Sequence, residues 1–194
     1  MRSIALIGGI LAMCTMALSQ TTTTKYPKSS DVVDASGNFI DVQTGATVTT
    51  ASGTSSSSTT RVRDTRITVV SAGATSAGTP VTYAGVVFNR LGVGKDAVYF
   101  EVTTPAQAGT PASRAVIALN ANLPLPGSVS GFPALPLTER DHVRLARPVG
   151  ASDYISIVTP GTPATSTASA TPATESVYSF NNGAFHQVSK APLP

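Results

Sequence analysis

Apolar residues in this chain recur at every second position rather than at the three-and-four spacing of a helix, and no other feature constrains its fold as tightly. From Ala97 to Thr103, Val98, Phe100 and Val102 fall on one side and Tyr99, Glu101 and Thr103 on the other, the pattern of a half-buried strand. The signal returns over Arg66 to Ser71, Val81 to Phe88, Arg114 to Leu119, Asp153 to Val158 and Ser176 to Phe180, all rich in the residues a pleated surface favours. Prolines stand between these runs, where they break no central ladder. With no alternation of strands and helices, the expected class is all-β: an antiparallel β-sandwich or open barrel of about eight to ten short strands with long Ser/Thr/Pro/Gly-rich loops.

Turn chemistry places the clearest hairpin at Val177 to Val188, where Asn182-Gly183 supplies the positive φ values of a type I′ turn. That register sets Phe180 against Phe185, His186 against Ser179 and Val177 against Val188. A second hairpin is expected at Val32 to Val42, turning through Ala35-Ser36-Gly37-Asn38, and Asn89 to Asp96 reads as another turn. Thr138 to Arg147 admits two readings. Thr138 and Asp141 could cap a helix, while His142 to Arg147 alternates as a strand. Leu123 to Leu137, with four prolines, reads as an extended connection.

Twenty-seven Thr and 22 Ser concentrate in Thr49 to Thr60, Ala72 to Pro80, Thr103 to Ser113 and Pro160 to Thr174. Such composition offers little apolar area against the ordering entropy of roughly 1 to 2 kcal/mol per residue, so these stretches are expected to be loops. Pro160 to Thr167, where hydroxyls and prolines alternate, is also a candidate for O-glycosylation. The expected organisation is therefore a signal peptide at 1–19, a Ser/Thr-rich arm at 20–60 carrying the hairpin at 32–42, a β-sandwich at 61–190 with a low-complexity loop at 160–174, and a tail at 191–194.

Arg2, the apolar run from Ile4 to Leu18 and the small residues Ala17 and Ser19 make the three-part pattern of a secretory signal, cut before Gln20. The run is shorter than the roughly 20 residues a spanning helix needs, and no later segment is apolar enough, so no transmembrane span is expected after cleavage. The lone Cys14 lies inside the leader, which leaves the mature chain without disulfides. Leu11-Ala12-Met13-Cys14 resembles a bacterial lipobox, departing from it at Met13, and lipidation at Cys14 is the lesser alternative. The expected destination is secreted, periplasmic or cell-surface. No N-glycosylation sequon occurs, and 12 basic against 10 acidic side chains without Arg2 are too balanced to imply nucleic acid.

Catalytic signatures are missing. Gly127-Ser128-Val129-Ser130-Gly131 puts valine at the centre of what would be a nucleophile elbow, and Gly92-Val93-Gly94-Lys95-Asp96 lacks the first glycine and the Ser/Thr of a phosphate loop. His142 and His186 are the sole histidines available as bases. Asp34, Ser36, Asn38 and Asp41 carry side-chain oxygens at spacings that a hard cation uses, but an Asx turn closing the hairpin uses the same groups. Tyr99 and Glu101 are candidates for a ligand surface, with core packing the competing role for the tyrosine. Arg61, Arg63 and Arg66 read as charges guarding a strand edge. No cofactor is expected. The reading that follows is a secreted or surface-associated non-enzymatic β-domain serving in binding, adhesion or envelope structure, with an extracellular polysaccharide or protein as partner. Its alternatives are a secreted hydrolase assembled in the fold, or a carbohydrate- or calcium-binding module.

Overall fold

The period-two runs form strands, and the pleat decides which residues go inside. A computed structural model describes residues 20–26, 28–52, 56–106, 109–146, 153–165 and 169–193 of the chain. The expected leader, with Cys14 and the cut before Gln20, falls outside the described residues. Four antiparallel sheets hold the chain, and none closes into a barrel among the described residues. The first comprises β2 (Lys28–Ser29), β3 (Val32–Val33), β4 (Phe39–Thr44), β7 (Thr65–Val70) and β8 (Val81–Tyr83), in the order β2-β4-β7-β8 with β3 also on β4. The second runs β12 (Ala134–Leu137), β11 (Ser113–Leu119), β10 (Val98–Thr104), β9 (Val87–Val93). The third runs β13 (His142–Ala146), β14 (Tyr154–Thr159), β15 (Thr174–Asn181), β16 (Ala184–Pro192). The fourth is β1 (Gln20–Lys25), β5 (Thr47–Ser52) and β6 (Ser56–Arg61).

The second sheet is buried on both faces. Val98, Phe100 and Val102 of β10 and Ile117 and Leu119 of β11 enter one apolar cluster with Val32, Ile40, Val42, Ile67 and Phe88. The intervening Tyr99, Val116 and Ala118 enter a second cluster with Ile155, Ile157 and Phe180. Strand β10 is therefore not half-buried as its alternation suggests: Tyr99 is as inaccessible as Phe100. Each such side chain contributes about 1.5 to 3 kcal/mol on burial, so the second sheet supplies much of both cores.

Among the described residues there are sixteen strands where eight to ten were expected, in part because Ser/Thr-rich chain pairs as β1, β5 and β6. Thr49 to Thr60 is largely the hairpin of β5 and β6, apart from residues outside the description, since threonine favours the pleat and the ladder satisfies its backbone. Ala72 to Pro80 holds no strand, and among the described residues of Pro160 to Thr174 there is one isolated bridge, Thr162 with Thr171, before β15 begins. The hairpin at 32–42 is present, pairing Val32 with Ile40, and its Val32, Ile40 and Val42 pack in the same cluster as Ile67. A boundary after residue 60 would cut that cluster.

Four further details differ from the sequence reading. Strand β9 continues through Gly92, so the turn shrinks to Gly94–Ala97, closed by the Gly94 amide on the Ala97 carbonyl at 2.8 Å. Asn182 and Gly183 take φ of 49° and 76°, and Phe180 faces Phe185, but a bulge moves Val177 onto Ser189 and leaves Val188 56% exposed. The connection after Leu123 ends in β12, where Pro136 is tolerated on a sheet edge. Thr138 to Ala146 resolves to a turn followed by β13.

Arg114 knits the second sheet to that turn. Its guanidinium donates to Glu101 Oε1 at 2.7 and 3.0 Å, to the Thr138 and Glu139 carbonyls at 2.8 and 2.9 Å, and to the Asp141 carbonyl at 3.4 Å. Substituting Arg114→Ala removes the donor for all of these acceptors and is expected to lower stability by about 2 kcal/mol, read from the urea midpoint.

Within the same turn the Asp141 carboxylate accepts the Thr138 amide at 2.7 Å and the Thr159 hydroxyl at 2.6 Å. Burial acts to raise its pKa, but the Thr159 and Thr138 hydrogen bonds and the Arg114 charge outweigh it and hold the carboxyl below its ordinary value. The unfolded chain therefore binds the proton more readily, and the stabilisation is full above the ordinary carboxylate range and lost as pH falls through the folded pKa. Denaturant unfolding as a function of pH is expected to show a decline below about pH 4 that is shallower in Asp141→Asn.

Candidate functional site

Four connections meet at one end of the sheets and line a cleft of about 430 Å³. They are the Asp34–Asn38 turn between β3 and β4, the Gly94–Ala97 turn, the Asn120–Pro133 connection between β11 and β12, and the Asn182–Gly183 turn. The volume lies in the range of small-ligand sites, about 300 to 1,000 Å³. Ala97, Ala118, Leu119, Phe132 and Phe180 make the apolar lining, prolines 124, 126 and 133 stiffen one wall, and Lys95, Asp96, Asn120, Asn122 and Asn182 bring polar groups to it.

Buried polar side chains hold these connections in place. Asn38, 3% exposed, donates from Nδ2 to Asp34 Oδ2 at 2.9 Å and to Asn122 Oδ1 at 3.0 Å, while its Oδ1 accepts the Ala72 amide at 2.9 Å. One amide thus joins the first hairpin, the loop after β7 and the proline-bearing connection. Asn120 Oδ1 accepts the Asn122 amide at 3.0 Å and shapes the start of that connection. Farther along, the Tyr83 hydroxyl donates to the Pro126 carbonyl at 2.8 Å, and burial pushes its pKa up to about 12, so it remains a donor through the physiological range. Across the cleft, buried Asp153 accepts the Lys95 amide at 2.7 Å, the Asp96 amide at 3.4 Å and the Tyr99 hydroxyl at 3.1 Å through Oδ2. Gly94 is required there, because a Cβ at that position would fall on the Asp153 carboxylate and the Tyr99 ring.

The sequence-nominated residues divide. Asp34 and Ser36 line the cleft, but the Asp34 carboxylate is spent on its own turn, accepting the Ser36 and Asn38 amides at 2.9 Å as well as the Asn38 side chain. Asp41 lies apart on β4 and accepts Gln43 Nε2 at 2.8 Å. No group of three or more His, Cys, Asp or Glu is placed to hold a metal among the described residues. Tyr99 is wholly buried and stands behind the cleft, donating to Asp153 and packing edge-on against Phe180 of the lining. Glu101 is half-buried in its ion pair with Arg114. Lys95 and Asp96 of the rejected phosphate-loop pattern stand at the rim, and their side chains have no hydrogen-bond or ion-pair partner among the described residues.

Neither histidine lines this cleft. His142 and His186 are both exposed on the third sheet, His186 opposite Ser179 as its hairpin register requires. Nearby, Ser156 donates its hydroxyl to Glu175, which also accepts Arg144 Nη2 at 2.9 Å. Those two hydrogen bonds hold the Glu175 carboxyl below the usual range, so it is an anchored acceptor, and the proton of the Ser156 hydroxyl is directed to this carboxylate. No helix among the described residues is long and apolar enough to cross a membrane.

No family model, no curated protein and no solved structure matches the chain. The cleft's chemistry must therefore be read from its own residues.

Asn38→Ala is expected to leave Asn122 Oδ1 and the Ala72 amide without their partner. The expected loss is about 2 to 4 kcal/mol of unfolding free energy, measured by urea denaturation.

Proposed function

We propose that this protein is an exported, non-enzymatic β-domain that binds a short stretch of polysaccharide in the cleft at the end of its sheets, serving in adhesion or envelope structure. The observation that carries this reading is the pairing of an apolar lining with a rim whose Lys95 and Asp96 side chains are uncommitted, one a donor and one an acceptor. Sugars combine apolar ring faces with hydroxyls that both donate and accept, and they match a site of mixed polarity. A polyanion fits less well, since the lining holds one lysine against the carboxylates of Asp34 and Asp96. A lipid tail would leave the rim amides and charges desolvated without partners.

The fold suits the role. We read the first three sheets as layers of a β-sandwich, with the second sheet in the middle, so that the loops at one end are presented by a rigid double core. The leader ending at Ser19 supports export to the periplasm, cell surface or medium. Hydrolysis is the weaker reading. Of the two cleft acids, Asp34 is committed to its turn, and a single Asp96 does not make an acid and base pair.

Calorimetric titration with soluble envelope oligosaccharides tests the proposal. Binding is expected with no release of reducing ends, and Lys95→Ala and Asp96→Ala, both exposed, are each expected to weaken it about tenfold with unchanged melting temperature. Binding unaffected by either substitution, or turnover of the saccharide, would overturn it.

A further inference from the structure

The cleft shares a wall with a second hollow. Four consecutive residues, Asn122 to Leu125, line both, so this part of the connection between β11 and β12 is a ridge between spaces of about 430 and 440 Å³. The other side of the second hollow comes from the end of β7 and the chain leading into β8. Half-buried Val69 and Val81 supply its apolar surface. Ser71 and Thr79 bring exposed hydroxyls that have no hydrogen-bond partner among the described residues. The loop from Ala72 to Pro80 is folded back onto β7 there, with the Gly78 amide on the Val69 carbonyl at 2.8 Å, an approach closer than a Cβ on Gly78 would tolerate.

One buried amide aligns the two spaces. Asn38 Nδ2 holds Asn122 on the ridge, and Asn38 Oδ1 holds the Ala72 amide next to Ser71. The ridge and the far wall of the second hollow are therefore fixed against the same side chain that closes the cleft's hairpin turn. At the base of the ridge Leu125 packs on the first apolar cluster, while Leu123 stands 62% exposed above it. A leucine in that position offers an apolar face to a chain that crosses from one space to the other.

We propose that the two hollows form one binding track, in which a neutral polysaccharide lies across the Leu123–Pro124 ridge with sugar units on both sides. The protein then grips an extended run of the polymer rather than a single sugar. This inference rests on the reading of the cleft as a saccharide site and assigns that site its ligand class. The second hollow adds hydroxyls, an amide and apolar surface but no charged side chain, which suits an uncharged chain. Each contact is modest by itself. Because one chain makes both, the second forms at high effective concentration, and affinity grows with the length of chain that spans the ridge.

Calorimetric titration with three neutral series, cello-, malto- and chito-oligosaccharides, each graded in length from the disaccharide upward, tests the proposal. In the series that binds, affinity is expected to rise about tenfold once the chain reaches the second hollow, and then to level off. Thr79→Trp and Ser71→Trp, each at an exposed position that lines the second hollow alone, are expected to remove that rise and leave the affinity of the shortest binding chain unchanged. Lys95→Ala, on the cleft side, is expected to weaken short and long chains alike. Affinity independent of length, or a rise that survives both tryptophan variants, would overturn the track while leaving the cleft a saccharide site. No binding in any series would overturn both readings.

Discussion

Burial of both faces of the second sheet is the constraint on which the rest of the structure depends. An antiparallel sheet with one solvated face would alternate apolar and polar side chains, and at first sight β10 does. Its second set is Tyr99, Glu101 and Thr103, of which Glu101 is turned to its pair with Arg114 while Tyr99 goes inside, and in β11 the facing Val116 and Ala118 are small enough to admit Ile155, Ile157 and Phe180 of the third sheet. Phe100 and Ile117 meanwhile close on Ile40 and Ile67 of the first. Because both packings share the same strands, a change in the register of β10 would turn both sets of side chains around and undo the two cores together.

The cleft inherits its rigidity from that arrangement and from a few polar groups placed inside it. Asn38 and Asp153 are nearly inaccessible, and each satisfies backbone or side-chain partners on connections far apart in the chain. Buried amides and carboxylates are stabilising only when fully partnered, and here the partnering is also what aligns the cleft walls. Tyr83 does the same with one hydroxyl, its ring packed against Phe88 and Phe132 while its oxygen holds Pro126. The fourth sheet is the opposite case, rich in hydroxyl-bearing residues and with none of its described residues in either apolar cluster.

Legibility in the sequence followed the range of the interactions involved. The Asn182-Gly183 turn and the Val32 to Val42 hairpin were readable because local backbone preference decides them. The strand nature of Thr49 to Thr60 was hidden, since low-complexity composition suits a loop and a solvated ladder equally well. The bulge that displaces Val188 left no mark in the alternation. At the cleft, Asp34, Ser36 and Asn38 were nominated for the oxygen spacing of their turn, but Asn38 works chiefly by reaching Asn122 and Ala72, 84 and 34 residues away. Lys95 and Asp96 were visible only as a failed phosphate-loop pattern.

What the sequence by itself determined is the all-β class, most of the strand cores and the turn chemistry, because a period of two and a positive φ are properties of neighbouring residues. Which face each strand buries, that β10 and β11 bury both, and that four distant connections converge on one cleft were decided only by tertiary structure. Those outcomes depend on how sheets meet across long stretches of chain. Tyr99 carries the distinction: its position in a strand follows from its neighbours, but its burial follows from Asp153 and Phe180, which only the fold brings to it.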